Sequence, residues 1–219
     1  MIEIQETEDG SRTLYVPEMD EHYHSVKGAL TEAEHIFINM GLKQSPAETP
    51  YVFEVGFGTG LNAFLTLLEA ERQQRHVYFT SIEKYPVAAD TIKAMNYPEL
   101  ISPTHAKAYY DMHEAAWNQA VDITPWFTLT KVHADLTTYT FEEQIDVVYF
   151  DAFAPEKQSE MWSEQIFAKI YDAMSHRGIL TTYCAKGVIR RMLQAAGLKM
   201  ERLAGPPGGK REILRGTKE

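Results

Sequence analysis

Residues 51–60 have the sequence YVFEVGFGTG, an apolar run that ends in three alternating glycines, Gly56, Gly58 and Gly60. The apolar run is typical of a buried strand. The glycines indicate a turn whose backbone adopts positive φ and approaches a ligand closely. Apolar residues dominate the next eight positions and predict a helix. This stretch therefore predicts a strand, a ligand-binding turn and a helix at the start of an α/β domain.

Strand and helix patterns alternate from residue 51 onward, which is typical of a mostly parallel sheet covered on both faces. The predicted strands lie near residues 51–55, 77–83, 127–133, 145–150, 178–184, 198–203 and 211–216. The predicted helices lie near residues 61–72, 86–95, 108–120, 159–173 and 187–196. Gly178 and Gly197 are expected to end two of these helices. The pattern predicts a Rossmann-like α/β fold with seven strands.

Residues 1–50 are predicted to form an N-terminal extension, and residues 51–219 the main domain. Two alternating stretches, residues 2–6 and 12–16, flank an Asp-Gly pair and predict a hairpin. Thr31 and the glutamate that follows it three residues later suggest a capping box, which predicts a helix over about residues 32–39.

Composition limits the classes of function. The chain has 219 residues, a net charge of -10 and one cysteine, Cys184, so it forms no internal disulfide and no cysteine-rich zinc site. His22, His24 and His35 match no metal-binding pattern, so no metal is predicted. The sequence starts with no apolar leader and has no run of about 20 apolar residues, from which a cytoplasmic protein without membrane contact is expected.

Charge is unevenly distributed along the chain. Residues 1–50 contain ten Asp or Glu against three Lys or Arg, whereas residues 186–219 contain nine Lys or Arg against three Glu. The acidic total argues against indiscriminate binding to nucleic acid. The basic C-terminal stretch is the candidate surface for an anionic partner, and an ordinary solvated surface is the alternative.

Four acidic residues lie at or near the ends of predicted strands: Glu54, Glu83, Asp135 and Asp151. Ligands of open α/β sheets bind beyond the carboxyl ends of the strands. Carboxylates accept hydrogen bonds from hydroxyl and amino groups and favour a positive charge. S-adenosylmethionine offers all of these features. We expect Glu83 at its ribose, Asp135 at its adenine, and Glu54 with the glycine turn at its methionine end.

Other nucleotide cofactors fit the glycine turn less well. A dinucleotide fingerprint needs Gly or Ala three residues after Gly58, where this chain has Leu61. A P-loop needs a Gly-Lys-Ser/Thr sequence, which does not follow the turn. The alternative to a cofactor contact is, for each acidic residue, a role as a helix cap or as a solvated residue at a strand end.

The motifs together resemble the MnmC family of S-adenosylmethionine-dependent methyltransferases, which complete the 5-methylaminomethyl modification of the tRNA wobble uridine. The resemblance covers most of the chain. Its most specific elements are Asp-x-Phe-Ala-Pro at residues 151–155 and Lys-Arg-Glu at residues 210–212. It implies a class I methyltransferase fold, with tRNA as the partner and S-adenosylmethionine as the cofactor. Many members carry a fused oxidase half that this sequence lacks, so oxidase activity is expected from a separate protein.

The resemblance also implies roles for individual residues. Asp151 would orient the attacking amine or take its proton, and Phe153 would wall the pocket or stack on the base. The remaining residues divide into two groups. The expected cofactor contacts are Tyr23, Ser25, Gly56, Gly58, Gly60, Asn62 and Asp151, with residues 23–25 forming a lid. The expected substrate contacts are Trp162, Lys186, Arg190, Lys210 and Arg211. A role in the core is the alternative for Trp162.

Two other functions remain open at the level of the sequence. The net charge also fits a methyltransferase that acts on a small-molecule or protein amine. A non-catalytic or NAD-binding protein could share the same fold, because a fold alone does not define a function.

Overall fold

The computed structural model describes residues 2–142 and 144–219. The strands are β1 (Glu3–Glu6), β2 (Arg12–Val16), β3 (Glu21–His22), β4 (Tyr51–Val55), β5 (Val77–Glu83), β6 (Ala120–Thr124), β7 (Phe127–His133), β8 (Ile145–Phe150), β9 (Met174–Thr182), β10 (Lys199–Ala204) and β11 (Glu212–Thr217). The α-helices are α1 (Ala29–Ala33), α2 (Leu61–Gln73), α3 (Ala89–Lys93), α4 (Tyr97–Ile101), α5 (Ala106–Glu114), α6 (Glu164–Ala173) and α7 (Gly187–Ala195). A π-helix (Glu34–Asn39) continues α1, and 3-10 turns lie at Leu42–Gln44, Pro103–His105 and Ser159–Met161.

The described residues form a central sheet of eight strands in the order β10-β11-β9-β8-β4-β5-β7-β6. The five strands from β9 to β7 run parallel, whereas β11 and β6 pair antiparallel at the two sides. The chain order reverses on the two sides of β4, since β5 and β7 lie on one side and β8 and β9 on the other. This reversal creates a crevice at the carboxyl ends of β4 and β8, where α/β proteins bind ligands.

The predicted α/β class is confirmed, and each of the seven predicted strands is present. The eighth strand, β6, was not predicted, and its first residue, Ala120, was assigned to the end of a helix. Helix α5 ends at Glu114, and Asn118 adopts a left-handed φ of 60° before β6 pairs with β7. Pairing with an otherwise open sheet edge overrides the weak local helix preference.

One predicted helix end is wrong and the other is confirmed. Gly178 lies inside β9, where a Cβ atom would come within 2.8 Å of the Ser175 carbonyl oxygen and 3.1 Å of the Ile145 carbonyl oxygen. Glycine is therefore needed there for close approach to β8. Gly197 lies two residues after the end of α7, directly after the C-cap residue Ala196, with a φ of 113°, a conformation that favours glycine.

The N-terminal residues fold into a small antiparallel sheet in the order β1-β2-β3, so the predicted hairpin is confirmed. The helix starts at Ala29, earlier than predicted, and Thr31 lies inside it. The capping-box prediction is wrong because the amide and hydroxyl of Thr31 both donate to Asp9, at the hairpin turn, at 2.9 and 2.8 Å. The helix and α2 contribute to one hydrophobic core, and the domain boundary at residue 50 stays a prediction.

Every helix within residues 2–142 and 144–219 is too short or too polar to span a bilayer.

Asp9 ties the hairpin turn to α1, and its replacement tests this junction. Its carboxylate also accepts from Thr7 and Ser11, and these bonds outweigh partial burial and lower its pKa to about 2. We expect Asp9→Ala to lower the free energy of unfolding by about 1–2 kcal/mol, because the hydrogen bonds to the Asp9 carboxylate are lost. The low native pKa means that this contribution is present above about pH 4 and is lost as the pH falls through about 2. Urea unfolding at pH 7 measures the effect, and the exposed Asp90→Ala should change stability by less than about 0.5 kcal/mol.

Candidate active site

A cavity of about 520 Å³ opens at the carboxyl ends of β4, β5, β7 and β8. The segment from Glu21 to Val26 covers one side of it, and Lys210 reaches it from the C-terminal part of the chain. Ten of the predicted site residues line this cavity. These residues are Tyr23, Ser25, Gly56, Gly58, Asn62, Glu83, Asp135, Asp151, Phe153 and Lys210.

The glycine turn between β4 and α2 forms the floor of the cavity. Gly56, Gly58 and Gly60 have φ values of 92°, 51° and 72°, which L-residues with side chains rarely adopt. A Cβ atom on Gly58 would lie 3.1 Å from the Tyr23 ring. Gly60 faces away from the cavity, because a Cβ atom there would meet the His113 ring at 2.7 Å. Its contribution is to the shape of the turn.

Glu83, the last residue of β5, is fixed beside this turn. Its carboxylate accepts a hydrogen bond from the Gly58 amide at 3.1 Å and another from the Tyr85 amide at 2.7 Å. Burial, together with the nearby negative charge of Glu83, raises the pKa of Tyr23 to about 12. The turn and β5 therefore hold an oriented carboxylate at the cavity wall.

Asp135 lies at the outer end of the cavity, beyond β7. It accepts hydrogen bonds from Lys84 at 2.8 Å and from the Thr137 hydroxyl at 2.6 Å. The bond from Lys84, followed by those from Thr137, lowers the pKa of Asp135 to about 2. Asp135 is therefore an ionised hydrogen-bond acceptor at neutral pH.

Asp151, directly after β8, is held by Asn62 on α2. The Asn62 side-chain amide donates to the Asp151 carboxylate at 2.8 Å. Burial, followed by the negative charge of Glu32, outweighs the opposing effects of Asn62 and Lys210 and raises the pKa of Asp151 to about 7. A carboxylate with this pKa can both accept and release a proton near neutral pH.

Glu54 lies beneath the cavity and does not line it. Its side chain is 1% exposed and accepts a hydrogen bond from Ser81 at 2.6 Å. Burial raises its pKa well above the ordinary range, and the charge of Asp151 acts in the same direction. The second carboxyl oxygen of Glu54 and the side-chain oxygen of Asn62 are both buried without a partner. A protonated Glu54 therefore supports the turn as a neutral group. Its position beneath the cavity favours this role over direct contact with a ligand.

The loop after Asp151 places one aromatic ring at the cavity and buries another. Phe153 lines the cavity and meets the Tyr23 ring edge-on, with centroids 5.0 Å apart. Trp162 is 4% exposed, and its indole N–H donates to the Phe153 carbonyl oxygen at 2.8 Å. Trp162 therefore stabilises the loop from the core and is absent from the cavity lining, which agrees with the alternative role in the core and not with a substrate contact.

Basic residues expected to bind substrate are dispersed. Lys186 is exposed and pairs with Glu156, and Arg190 donates to Gln194 on the same helix at 3.0 Å. Arg211 is exposed outside the cavity lining. Lys210 lines the cavity and pairs with Glu32, whose side chain is 9% exposed.

Several cavity residues were missed by the sequence analysis. Glu32 was interpreted only as part of a helix start, and its partner is 178 residues away in the sequence. Tyr183 was not predicted as a site residue because β9 was predicted to extend to residue 184, whereas it ends at Thr182. The rule that strand ends carry site residues would have found Tyr183 with the correct boundary.

Comparison with known proteins identifies the class of this fold and site. Residues 103–219 match the family model described as S-adenosyl-L-methionine-dependent methyltransferase. A solved structure of MnmC2 from Aquifex aeolicus superposes with a TM-score of 0.81 at 21% identity, covering 100% of this chain and 70% of that one. Spermidine synthase from Thermotoga maritima has the same fold, with a TM-score of 0.58 at 14% identity over 100% of this chain and 73% of that one. The fold is thus that of the class I methyltransferases.

The chain belongs to this family of S-adenosyl-L-methionine-dependent methyltransferases. It is 34% identical over 210 residues to the tRNA 5-methylaminomethyl-2-thiouridine biosynthesis bifunctional protein MnmC of Pseudomonas savastanoi pv. phaseolicola, covering 89% of this chain. It is 30% identical over 220 residues to the protein of the same name from Cupriavidus metallidurans, covering 92% of this chain. The chain spans 32% of the length of each of these two relatives. The resemblance inferred from the motifs is confirmed.

The cavity residues fit S-adenosylmethionine, the cofactor of this family. Glycines with positive φ leave room for a ligand against the turn, and Glu83, Asp135 and Asp151 present acceptors for hydroxyl and amino groups. The same carboxylates favour the positive charge of a sulfonium.

The raised pKa of Asp151 gives a measurable dependence of stability on pH. The native state holds the Asp151 proton up to about pH 7, whereas the unfolded chain releases it near pH 3.8, the ordinary pKa of an aspartic acid. Native stability is therefore lost as the pH rises between these values. Between pH 5 and pH 8, we expect wild type to lose about 2–3 kcal/mol of unfolding free energy relative to Asp151→Asn. Equal pH profiles for the two proteins in urea unfolding would contradict the raised pKa.

Proposed function

We propose that this protein methylates the amine of a 5-aminomethyl group on the wobble uridine, or 2-thiouridine, of tRNA. The observation that carries the proposal is the placement of Asp151 in the cavity, anchored by Asn62 and with a pKa near neutrality. The Pseudomonas and Cupriavidus relatives are named for tRNA 5-methylaminomethyl-2-thiouridine biosynthesis, which supports the choice of substrate.

The cofactor would lie across the strand ends in this proposal. Glu83 would accept hydrogen bonds from the ribose hydroxyls, and Asp135 would accept from the adenine amino group. The Gly56–Gly58 backbone and Asn62 would surround the methionine end, with Tyr23 and Ser25 above it. When bound, the sulfonium supplies an electrophilic methyl group and leaves as a neutral thioether.

Asp151 has the central role in the transfer. Its carboxylate would accept a hydrogen bond from the substrate amine and aim the nitrogen lone pair at the methyl carbon. As the N–C bond forms and the S–C bond breaks, the amine carries a surplus proton, which Asp151 would take directly or through water. Asn62 would keep the carboxylate in position during this step.

Phe153 and Tyr23 would accommodate the target base. Both rings line the cavity, and enzymes that modify bases hold them against aromatic or apolar side chains. Trp162 would fix Phe153 through the hydrogen bond to its carbonyl oxygen. The base would then be presented to Asp151 from the open side of the cavity.

The direct test uses labelled S-adenosylmethionine and tRNA that carries 5-aminomethyl-2-thiouridine. We expect label in the wobble nucleoside after digestion. Absence of label there, with the protein folded and binding S-adenosylhomocysteine, would refute the tRNA proposal.

Asp151→Asn tests the assigned role of the carboxylate. We expect the turnover number to fall by about 10²–10⁴, the usual contribution of a positioned base, with a much smaller change in the affinity for S-adenosylhomocysteine. The exposed Asp90→Asn serves as the matched control and should retain wild-type turnover. A fully active Asp151→Asn would remove this residue from the proton transfer.

A small-molecule or protein amine is the second candidate substrate, favoured by the net charge of -10 and by the ion pairs that Lys186 and Lys210 form with glutamates of this chain. The salt dependence of substrate binding distinguishes the two. Contacts with several tRNA phosphates should weaken binding steeply as salt rises. A flat dependence would favour the second candidate.

A further inference from the structure

Two segments from opposite ends of the chain meet at the cavity. The segment from Glu21 to Val26 covers one side, and Lys210 approaches from the loop before β11. They are connected by an ion pair between the Lys210 ammonium and the Glu32 carboxylate of α1. This contact joins residues that are 178 positions apart in the sequence.

Glu32 uses its two carboxyl oxygens for two different tasks. One oxygen accepts from the Lys210 ammonium, and the other accepts from the Ser25 amide at 3.2 Å. Ser25 belongs to the segment that covers the cavity. The carboxylate thus connects Lys210 directly to the backbone of this cover.

Lys210 is fixed by its surroundings as well. A Cβ atom on Gly205 would lie 1.7 Å from the Lys210 carbonyl oxygen, so the loop folds back as tightly as only glycine permits. The Lys210 ammonium lies 4.8 Å from the centre of the Tyr183 ring, a cation-π distance. The Tyr183 hydroxyl donates to the Ala152 carbonyl oxygen at 2.8 Å, next to Asp151.

The burial of Glu32 makes the ion pair necessary. Its side chain is 9% exposed, compared with 35% for Lys210. A buried carboxylate that loses its cation retains the cost of desolvation without the compensating attraction. Removal of Lys210 should therefore release Glu32 toward water, and the Ser25 amide with it.

We propose that the Glu32–Lys210 ion pair is a latch that holds residues 23–25 closed over the cofactor cavity. Lys210 is then a positioning residue and not a phosphate contact. The latch does not depend on which amine is methylated, because it acts on the cavity that holds the cofactor.

Three variants test the latch without any substrate. Lys210→Met and Glu32→Gln each remove one charge, and Lys210→Arg keeps the charge. We expect the affinity for S-adenosylhomocysteine, measured by calorimetry, to fall about tenfold in both charge-removing variants, because only about a tenth of the molecules stay closed. Lys210→Arg should stay within about threefold of wild type, since its guanidinium can also pair with Glu32.

Hydrogen exchange provides a readout that does not require the cofactor. The Ser25 amide and its neighbours should exchange about tenfold faster in Lys210→Met and in Glu32→Gln than in wild type, as expected when a local opening becomes easier. Lys199→Met is the matched control, because it removes an exposed ion pair with Glu219 at the far edge of the sheet. It should change neither measurement.

The double variant Glu32→Gln/Lys210→Met separates the latch from other roles of Lys210. If the ion pair is a latch, the double variant should lose no more affinity for S-adenosylhomocysteine than the single variant with the larger loss. The reason is that each single substitution already breaks the same contact. Additive losses would overturn the proposal. So would weaker binding in Lys210→Met with unchanged or tighter binding in Glu32→Gln, which would indicate that Lys210 contacts the cofactor itself. Unchanged exchange at Ser25 in both single variants would also overturn it.

Discussion

The parallel pairing of β8, β4, β5 and β7 is the constraint on which the site depends. In this register Val55 is opposite both Ile82 and Phe150, and Glu83 is opposite His133. The residues that follow these positions therefore emerge side by side at one edge. No local feature of any single strand could bring the glycine turn, Glu83 and Asp151 together.

Several carboxylates close together at one edge of the sheet repel one another, which destabilises their charged forms. The environment of each carboxyl group is different. Backbone amides hold Glu83, a lysine and two threonine bonds hold Asp135, and burial keeps the proton on Glu54. Asp151 has one amide partner, and burial raises its pKa to about 7. Identical chemical groups thus become permanent acceptors in one place and a proton acceptor in another.

The distribution of basic residues changes the meaning of the C-terminal charge. Along the chain the nine basic residues after position 185 form a cluster, but in the fold they separate. Lys186 and Arg215 pair with acidic neighbours on the surface, whereas Lys210 turns inward to Glu32. A count of charges in the sequence cannot distinguish a phosphate-binding surface from a set of basic residues that already pair with acidic residues of the same chain.

Features encoded by local sequence were predicted more accurately than features that depend on contacts between residues distant in the sequence. The β4–turn–α2 unit was predicted almost to the residue, because apolar runs and glycines encode it locally. Strand β6 was missed, since residues 120–124 become extended only by pairing with β7, and Trp162 was assigned to the substrate although the core surrounds it.

By itself, the sequence determined the α/β class, the cofactor and the group of acidic residues at strand ends. These depend on local periodicity and on residue types at predictable ends of elements. Only the tertiary structure decided which acid is poised to accept a proton, that Gly60 and Glu54 support the turn from below, and that Lys210 meets Glu32. The physical reason is that burial, pKa and ion pairing are set by neighbours that are distant in sequence.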